Sequence, residues 1–203
     1  MKTLILYFTA FVGFSVVASS QIPPKPVTIP NHCDLIPAYA SMKPTETVNA
    51  KNPIDLILVS KSDRKIYFLN LGKVIFVFTS AFGDGNGAKI QEGDERTPEG
   101  TYFISSKNIH SDFHKSLEVS YPNAFDVSYA KKYNVSPGGA IMVHGMSNKI
   151  TLAQNTTVAN AINLTNWTQG CMAVRNDQID SVFPFVNEGT PIEICPVKSR
   201  KLK

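Results

Sequence analysis

The sequence predicts a mainly β domain of the α+β class with a few short helices. Residues 54–60, 65–71 and 73–82 are short apolar runs, and Asn70-Leu71-Gly72-Lys73 forms a turn between the second and the third. Residues 101–106 follow a turn with proline at its second position and give a further strand. Short strands separated by turns are typical of β domains, and a chain of 203 residues can bury one sizeable core. We therefore expect a single domain.

Short helices are predicted at three places. Residues 126–133 have helical composition, and residues 148–166 carry apolar residues at helical spacing in a polar, asparagine-rich flap. A helix that starts at Asn176 should end early, because Pro184 lacks the N–H that a helix interior needs. Residues 190–195 then provide the strand that closes the sheet.

The first 20 residues have the composition of a signal peptide. A short basic start precedes an apolar, uncharged run over residues 4–17, and small residues at Ala18 and Ser20 suit cleavage before Gln21. The run is shorter than the roughly 20 residues of a membrane-spanning helix. We expect an exported protein, with the uncleaved leader as the alternative and as its one link to a membrane. Residues 21–53 are rich in proline and predict an extended strap.

Charge and motif spacing argue against several functions. The net charge is +4, but the basic tail at residues 197–203 carries four positive charges, so no nucleic-acid-binding face is predicted. The glycine-rich run at residues 83–89 lacks the Gly-Lys-Ser/Thr of a phosphate loop and the sixth-position glycine of a calcium loop. His110 and His114 have the spacing of zinc ligands on a helix, yet their polar surroundings favour a solvated loop.

One cysteine stands in a sequence context that suggests catalysis. Gly170 lets the backbone turn tightly before Cys171, so that N–H groups there could converge on an oxyanion. A thiol also needs a base, and His144 ends an apolar run directly before Gly145. The alternative is that Cys171 is an inert buried side chain and His144 a core histidine.

A wider resemblance supports catalysis. His144 is followed by Trp167-Thr168-Gln169-Gly170-Cys171-Met172-Ala173-Val174-Arg175-Asn176. This order resembles the L,D-transpeptidase catalytic (YkuD-like) family, with an early His and then Ser/Thr-x-Gly-Cys, and is most similar to a branch that reads Trp-Thr-x-Gly-Cys-x-Ala-Val-x-Asn. Residues 89–102, 120–123 and 189–194 also resemble family blocks. The resemblance implies an L,D-transpeptidase-like β-sandwich, which we place at residues 54–196.

The resemblance implies a cysteine-dependent enzyme that acts on peptidoglycan stem peptides. Cys171 would form an acyl-thioester, His144 would serve as acid and base, the Gly145 carbonyl would orient the imidazole, and N–H groups near Gly170 would bind the oxyanion. Transfer to a second stem would crosslink the wall, and transfer to water would be hydrolysis. The mechanism needs no metal or cofactor. We expect a monomer in a bacterial periplasm or cell envelope, with donor and acceptor stems as its partners.

Four residues are candidates for substrate contact. The resemblance places Tyr121 beside the substrate groove, and Gln169 stands where the family often has a second histidine. Ala173 stands where arginine or asparagine is frequent, so other groups would have to hold the donor. Arg175 could bind a carboxylate through its planar guanidinium or lie exposed at a helix start. Asn176 could hydrogen-bond loop backbone or cap a helix.

Three cysteines occur in the chain, at positions 33, 171 and 195. Export would place them in an oxidising compartment. If Cys171 stays a free thiol, the other two are left as a pair. We predict a disulfide between Cys33 and Cys195 that ties the strap to the last strand, and two unpaired cysteines are the alternative.

Other functions remain open. A carboxypeptidase or amidase of the same family would use the same nucleophile, and a non-catalytic wall-binding module would not use it. A sortase-like enzyme shares the order His, Cys, Arg but would need Thr-Leu-x-Thr-Cys, which this sequence lacks.

Overall fold

The computed structural model of the protein describes residues 31–48, 51–85, 87–149 and 165–197. In these residues an eight-stranded sheet has the order β3-β2-β1-β8-β4-β5-β6-β7. The strands are β1 (Leu56–Ser60), β2 (Lys65–Asn70), β3 (Lys73–Thr79), β4 (Gly100–Ser111), β5 (His114–Val119), β6 (Met142–His144), β7 (Met172–Ala173) and β8 (Pro191–Cys195). The helices are α1 (Ile36–Ser41), α2 (Ala124–Lys132) and α3 (Asn176–Val182), with 3-10 turns at His32–Leu35 and Phe183–Phe185.

Strands β1 to β3 form an antiparallel meander whose residues are buried on both faces. Leu71 and Gly72 both have positive φ in the turn between β2 and β3, as a two-residue hairpin requires. Ile57 and Phe68 project into the main core, whereas their neighbours Leu58 and Tyr67 project to the opposite face. The alternation of side chains along a strand explains why one meander lines two apolar clusters.

Strand β4 joins the two halves of the sheet. Its first part, Gly100 to Phe103, pairs with β8, and its second part pairs with β5 across two register shifts. Bulges of this kind bend a strand, so β5, β6 and β7 turn over the meander. Residues after β3 close the arrangement, because Ala81 bridges Ala173. Val143 and Met172 consequently share the main core with Ile57 and Phe68. The predicted mainly β sandwich with a few short helices is confirmed.

The proline-rich segment is not extended throughout. Residues 32–41 form a 3-10 turn and helix α1, which differs from the predicted strap. Pro37 lies in the first turn of α1, where a missing N–H costs nothing because the first helical N–H groups have no partner within the helix. Ile36 and Tyr39 pack on Leu58 and Tyr67, so the segment covers the outer face of the meander.

The segment is fixed to the last strand at one end. Cys33 and Cys195 form a disulfide with an S–S distance of 2.12 Å. The carboxylate of Glu193 accepts hydrogen bonds from the N–H groups of His32 and Cys33, both at 3.3 Å. Backbone N–H groups at the start of a helical turn need such acceptors. Residues 32–41 are therefore attached to β8 by a covalent bond and by a buried carboxylate.

Strand β5 replaces the solvated loop predicted around the two histidines. Ser111 ends β4 and pairs with His114 across a tight turn, so His110 lies within β4 and His114 begins β5. The two rings therefore do not share a helix face, and the spacing that suggests zinc has no structural counterpart.

Helices α2 and α3 lie close to their predicted positions. Asn123 caps α2 by accepting from the N–H groups of Phe125 and Asp126.

Most of the predicted flap, the leader and most of the tail lie outside the described residues. Within the described ranges, every helix is too short or too polar to cross a bilayer.

Candidate active site

Cys171 lies in a tight turn directly before β7. Gly170 has a φ of +122°, and a Cβ atom there would lie 2.7 Å from the carbonyl oxygen of Arg96. Only glycine fits both conditions. The hydroxyl of Thr168 donates to the Cys171 carbonyl at 2.6 Å and accepts the N–H of Gly170 at 3.3 Å. The turn is therefore held from inside by one buried threonine.

His144 ends β6, which lies between β5 and β7. In the parallel register with β7, Val143 is beside Met172 and His144 is beside Ala173. Side chains alternate along a strand, and residues beside each other project to the same face. Cys171 directly precedes β7, so the pairing of β6 with β7 places Cys171 and His144 on adjoining segments of the chain. This juxtaposition comes from the fold alone, since His144 belongs to β6 and Cys171 to the turn before β7.

The imidazole of His144 is held in one orientation. Its Nδ1 lies 2.6 Å from the carbonyl oxygen of Gly145, and this oxygen can only accept, so Nδ1 carries the proton. The ring centroid of Phe113 lies 4.6 Å from that of His144, which is only 4% exposed. Burial lowers the pKa of His144, and the bond to Gly145 opposes that shift in part. A neutral imidazole whose Nε2 carries no proton is the form that can accept one.

The sulfur of Cys171 lies beside the start of β6. Its thiol is 3.5 Å from the carbonyl oxygen of Ala140. Burial raises the pKa of Cys171, while the N–H of Met142 and the ammonium group of Lys89 act in the opposite direction. The resting nucleophile is therefore a thiol, and a base has to remove its proton during the reaction.

A groove of about 690 Å³ opens beside the sulfur. Its lining includes Cys171 and Gln169 and a charged wall formed by Lys89, Glu92 and Glu95. The other lining residues have mostly small side chains and include Ser136, Gly138, Gly139, Ala140 and Ile141. Backbone without bulky side chains leaves room for an extended peptide. The groove thus combines a nucleophile, a polar rim and groups of both charge signs.

Asp94 organises the charged wall of this groove. Its carboxylate accepts from the ammonium group of Lys89 at 2.9 Å and from the N–H groups of Ile90, Gln91 and Arg96 at 2.8 to 3.1 Å. Burial by itself would raise the pKa of Asp94, but these four donors outweigh it and hold the pKa below its usual range. One ionised side chain therefore fixes the loop.

The four candidate substrate contacts have different surroundings. Gln169 lines the groove. Tyr121 is only 6% exposed, and its hydroxyl donates to the Pro137 carbonyl at 2.9 Å, so it lies in the core behind the groove wall. Arg175 makes two hydrogen bonds to Asp177 on the surface. Asn176 accepts the N–H of Met146 at 2.7 Å and bonds loop backbone, one of the two alternatives left open above.

Sequence reasoning missed Thr168, Lys89 and Asp94 as parts of the site. In the sequence Thr168 was noted only as part of the motif, whereas in the structure its buried hydroxyl holds the turn before β7 through two hydrogen bonds. Lys89 and Asp94 lie in a run of charged and polar residues, which normally indicates a solvated loop. The signal available was their spacing, because an acidic residue five positions after a lysine can close a loop by pairing with it.

Potential metal ligands group together at another place in the described residues. One ligand atom each from Cys33, Glu193 and Cys195 lies within 4.8 Å of the others. The two cysteines are joined in a disulfide, and metal binding requires thiolates. In its oxidised form this cluster therefore does not offer a metal site.

The chain is similar in sequence to known proteins. The family model of the L,D-transpeptidase catalytic domain (YkuD) matches residues 54–194. YafK of Escherichia coli (strain K12) is 27% identical over 107 residues, which are 52% of this chain and 34% of that protein.

The fold also resembles that of solved structures. The crystal structure of the helical cell shape determining protein Pgp2 from Campylobacter jejuni superposes with a TM-score of 0.53 at 21% identity, covering 75% of this chain and 51% of that chain. A mutant of the same protein gives a TM-score of 0.51 at 21% identity over 84% of this chain and 57% of that one. The matches thus span about a third of YafK and about half of Pgp2. Because the family model matches most of its length, this chain belongs to the L,D-transpeptidase catalytic domain (YkuD) family.

Proposed function

We propose that this protein is an exported, cysteine-dependent L,D-transpeptidase that acts on peptidoglycan stem peptides. The observation that carries the proposal is the pairing of β6, which ends at His144, with β7, which begins directly after Cys171, together with the groove that opens beside the sulfur. The family membership supports the class of reaction. The exposed carboxylates of Glu92 and Glu95 on the groove wall suit the ammonium groups of a stem peptide.

The first half of the reaction forms an acyl-enzyme. Nε2 of His144 takes the thiol proton while the sulfur of Cys171 attacks the carbonyl carbon between the L-centre of the diamino acid and D-alanine. The tetrahedral intermediate then breaks its C–N bond, and the imidazolium returns the proton to the departing amine of D-alanine. A thioester to Cys171 remains.

The second half regenerates the thiol. An amine of a second stem, or water, attacks the thioester carbonyl, and His144 accepts its proton. The C–S bond then breaks, and the thiolate recovers the proton from the imidazolium. An amine acceptor gives a crosslink and water gives a shortened stem, so the acceptor alone decides between transpeptidase and carboxypeptidase.

The backbone before β7 supplies the oxyanion donor in this mechanism. The N–H of Gly170 is already paired with Thr168, so we assign the main role to the N–H of Cys171. Thr168 then acts by fixing the turn in the orientation that this donor needs. Gly145 contributes its carbonyl, which keeps Nε2 of His144 unprotonated.

Incubation of the mature protein with purified disaccharide-tetrapeptides, followed by mass spectrometry, tests the proposal. A dimer that has lost one D-alanine supports transpeptidation, and a disaccharide-tripeptide supports hydrolysis. Cys171→Ala should give neither product. Unchanged tetrapeptide that copurifies with the wild-type protein would instead support the wall-binding module.

Export is tested separately. If residues 1–20 are a signal peptide, the protein recovered from the periplasm of an expressing bacterium should begin at Gln21. Intact protein beginning at Met1 in the membrane fraction would favour the uncleaved leader, and protein confined to the cytosol would contradict export.

A further inference from the structure

The loop after β6 is tied to the loop after β7 by one side chain. The amide oxygen of Asn176 accepts the N–H of Met146 at 2.7 Å. The same oxygen would lie 2.6 Å from a Cβ atom at position 145, so residue 145 has to be glycine for this bond to form. Asn176 therefore reaches into the backbone that directly follows the candidate base, His144.

That bond acts on the group that orients His144. The carbonyl of Gly145 and the N–H of Met146 belong to one peptide unit, which is planar and trans. Its two polar groups therefore point in opposite directions. When Asn176 holds the N–H on one side, the carbonyl on the other side is directed at Nδ1 of His144, 2.6 Å away. One rigid plane thus connects the amide of Asn176 to the imidazole.

Helix capping does not account for this side chain. Helix α3 begins at Asn176 itself, and its N-cap is Arg175. The N–H of Arg175 is bonded to the side chain of Gln178 at 3.1 Å. The amide oxygen of Asn176 is directed at another strand's loop, so the position of Asn176 at a helix start places it without using it as a cap.

We propose that Asn176 is a positioning residue that sets the tautomer of His144 through the Gly145–Met146 peptide. The catalytic value of this arrangement rests on the proposed function, in which Nε2 of His144 must accept the thiol proton. A histidine with the proton on Nε2 could not do so, and the partner of the other ring nitrogen decides where the proton lies. Asn176 thereby prepares the base without touching the substrate.

The charged groups near His144 have to be considered as competing causes. His114 lies on the β5 side, where its Cβ would be 3.0 Å from a Cβ at position 145, and its ring is bonded to Asp180 at 2.8 Å. Lys115 shares the same carboxylate at 2.6 Å. Cys171 lies on the β7 side. None of these replaces the Gly145 carbonyl as partner of Nδ1, so a change of tautomer reports on the peptide.

Nitrogen-15 NMR of the imidazole groups tests this inference without substrate. We expect the neutral His144 ring to carry its proton on Nδ1 in the wild-type protein and in Asn176→Asp, whose carboxylate can still accept the Met146 N–H. In Asn176→Ala the signal should move to a mixture or to the Nε2–H form. His144→Gln identifies the signal among the four histidines of the chain. Asn70→Ala is the control, because its amide bonds the distant Pro53 carbonyl.

Kinetics give a second, separable readout. Asn176→Ala should slow acylation of Cys171 by about tenfold or more at unchanged KM, as expected when a base loses the group that fixes its tautomer. Asn176→Asp should recover most of the rate, and Asn70→Ala should match the wild type. If Asn176→Ala does not fold, Asn176→Ser, whose hydroxyl is too short for the bond, replaces it.

The outcomes separate this inference from the proposed function. If Asn176→Ala keeps Nδ1–H and reacts at the wild-type rate, the inference is overturned while the proposed function stands. If the tautomer changes but the wild-type protein never forms an adduct, the proposed function fails and the positioning of His144 by Asn176 stands.

Discussion

Replacement of Asp94 by asparagine should destabilise the protein by about 3–5 kcal/mol. Asp94 and Lys89 are paired with side chains only 9% and 4% exposed, and removal of one partner leaves a buried charge uncompensated. Each carboxylate oxygen of Asp94 accepts two hydrogen bonds, so the NH₂ group of an asparagine would face two donors in either orientation of its amide. The loop that forms the charged wall of the groove should loosen.

Urea unfolding measures the effect, and Trp167, the single tryptophan of the chain, provides the fluorescence signal. Asp177→Asn is a matched control, because its pair with Arg175 is largely exposed and should be worth no more than about 1 kcal/mol. The double variant Lys89→Met/Asp94→Asn should be less destabilised than the sum of the single variants by about 1–3 kcal/mol, because no unpaired ammonium group remains.

The pH dependence has a defined sign. The pKa of Asp94 is held below its usual range in the folded protein, so its contribution to stability is complete above the unfolded value near 4 and is lost as the pH falls through the folded value. Asp94→Asn should therefore lose less stability than the wild type on acidification. A loss under about 1 kcal/mol for Asp94→Asn at neutral pH, or strict additivity in the double variant, would refute the account of the groove wall.

Three further predictions concern the site and the disulfide. Gly170→Ala should slow acylation of Cys171 at least tenfold, because the φ of +122° and the Arg96 carbonyl oxygen at 2.7 Å exclude a side chain at position 170. The control Gly72→Ala, at a φ of +72° with open space around it, should react at the wild-type rate, and equal rates for the two variants would contradict the role of the turn. The pH profile of kcat/KM should show an acid limb with its midpoint below the ordinary histidine value of about 6.5, because burial lowers the pKa of His144. The rate should not fall up to about pH 8, because burial raises the pKa of Cys171. A midpoint of the acid limb above about pH 7 would argue against His144 as the base. A thiol count on denatured, unreduced protein should give one thiol per chain, and three would contradict the Cys33–Cys195 disulfide.

Local sequence patterns predicted the strands whose residues are apolar and are also buried in the structure. The strands β1 to β3 have apolar residues that are buried, and the turn between β2 and β3 carries its own glycine signal. Strand β5 could not be predicted, because a segment that begins His114-Lys115-Ser116 has little apolar character. Its pairing with β4 on one side and β6 on the other makes it a strand, and such long-range pairing has no local sequence signal.

The candidate site shows the same division. An apolar run placed His144 at a strand end, the glycine placed position 170 in a turn, and the need of a thiol for a base joined His144 to Cys171. The family resemblance supported that pair. Neither source indicated that Tyr121 lies behind the groove wall, because an aromatic ring with a hydroxyl suits a core as well as a binding surface. The buried pair of Lys89 and Asp94 was also missed, since charged residues are rarely buried unless they are paired, and their spacing was the one local sign of a pair.

The central claim is that Cys171 carries the acyl group. Intact-protein and peptide mass spectrometry after brief incubation with a disaccharide-tetrapeptide tests it most directly. The account predicts a mass increase equal to the donor less D-alanine, located on the peptide that contains Cys171 and absent from Cys171→Ala. Turnover of the tetrapeptide by Cys171→Ala at the wild-type rate, or an adduct on any other residue, would contradict it.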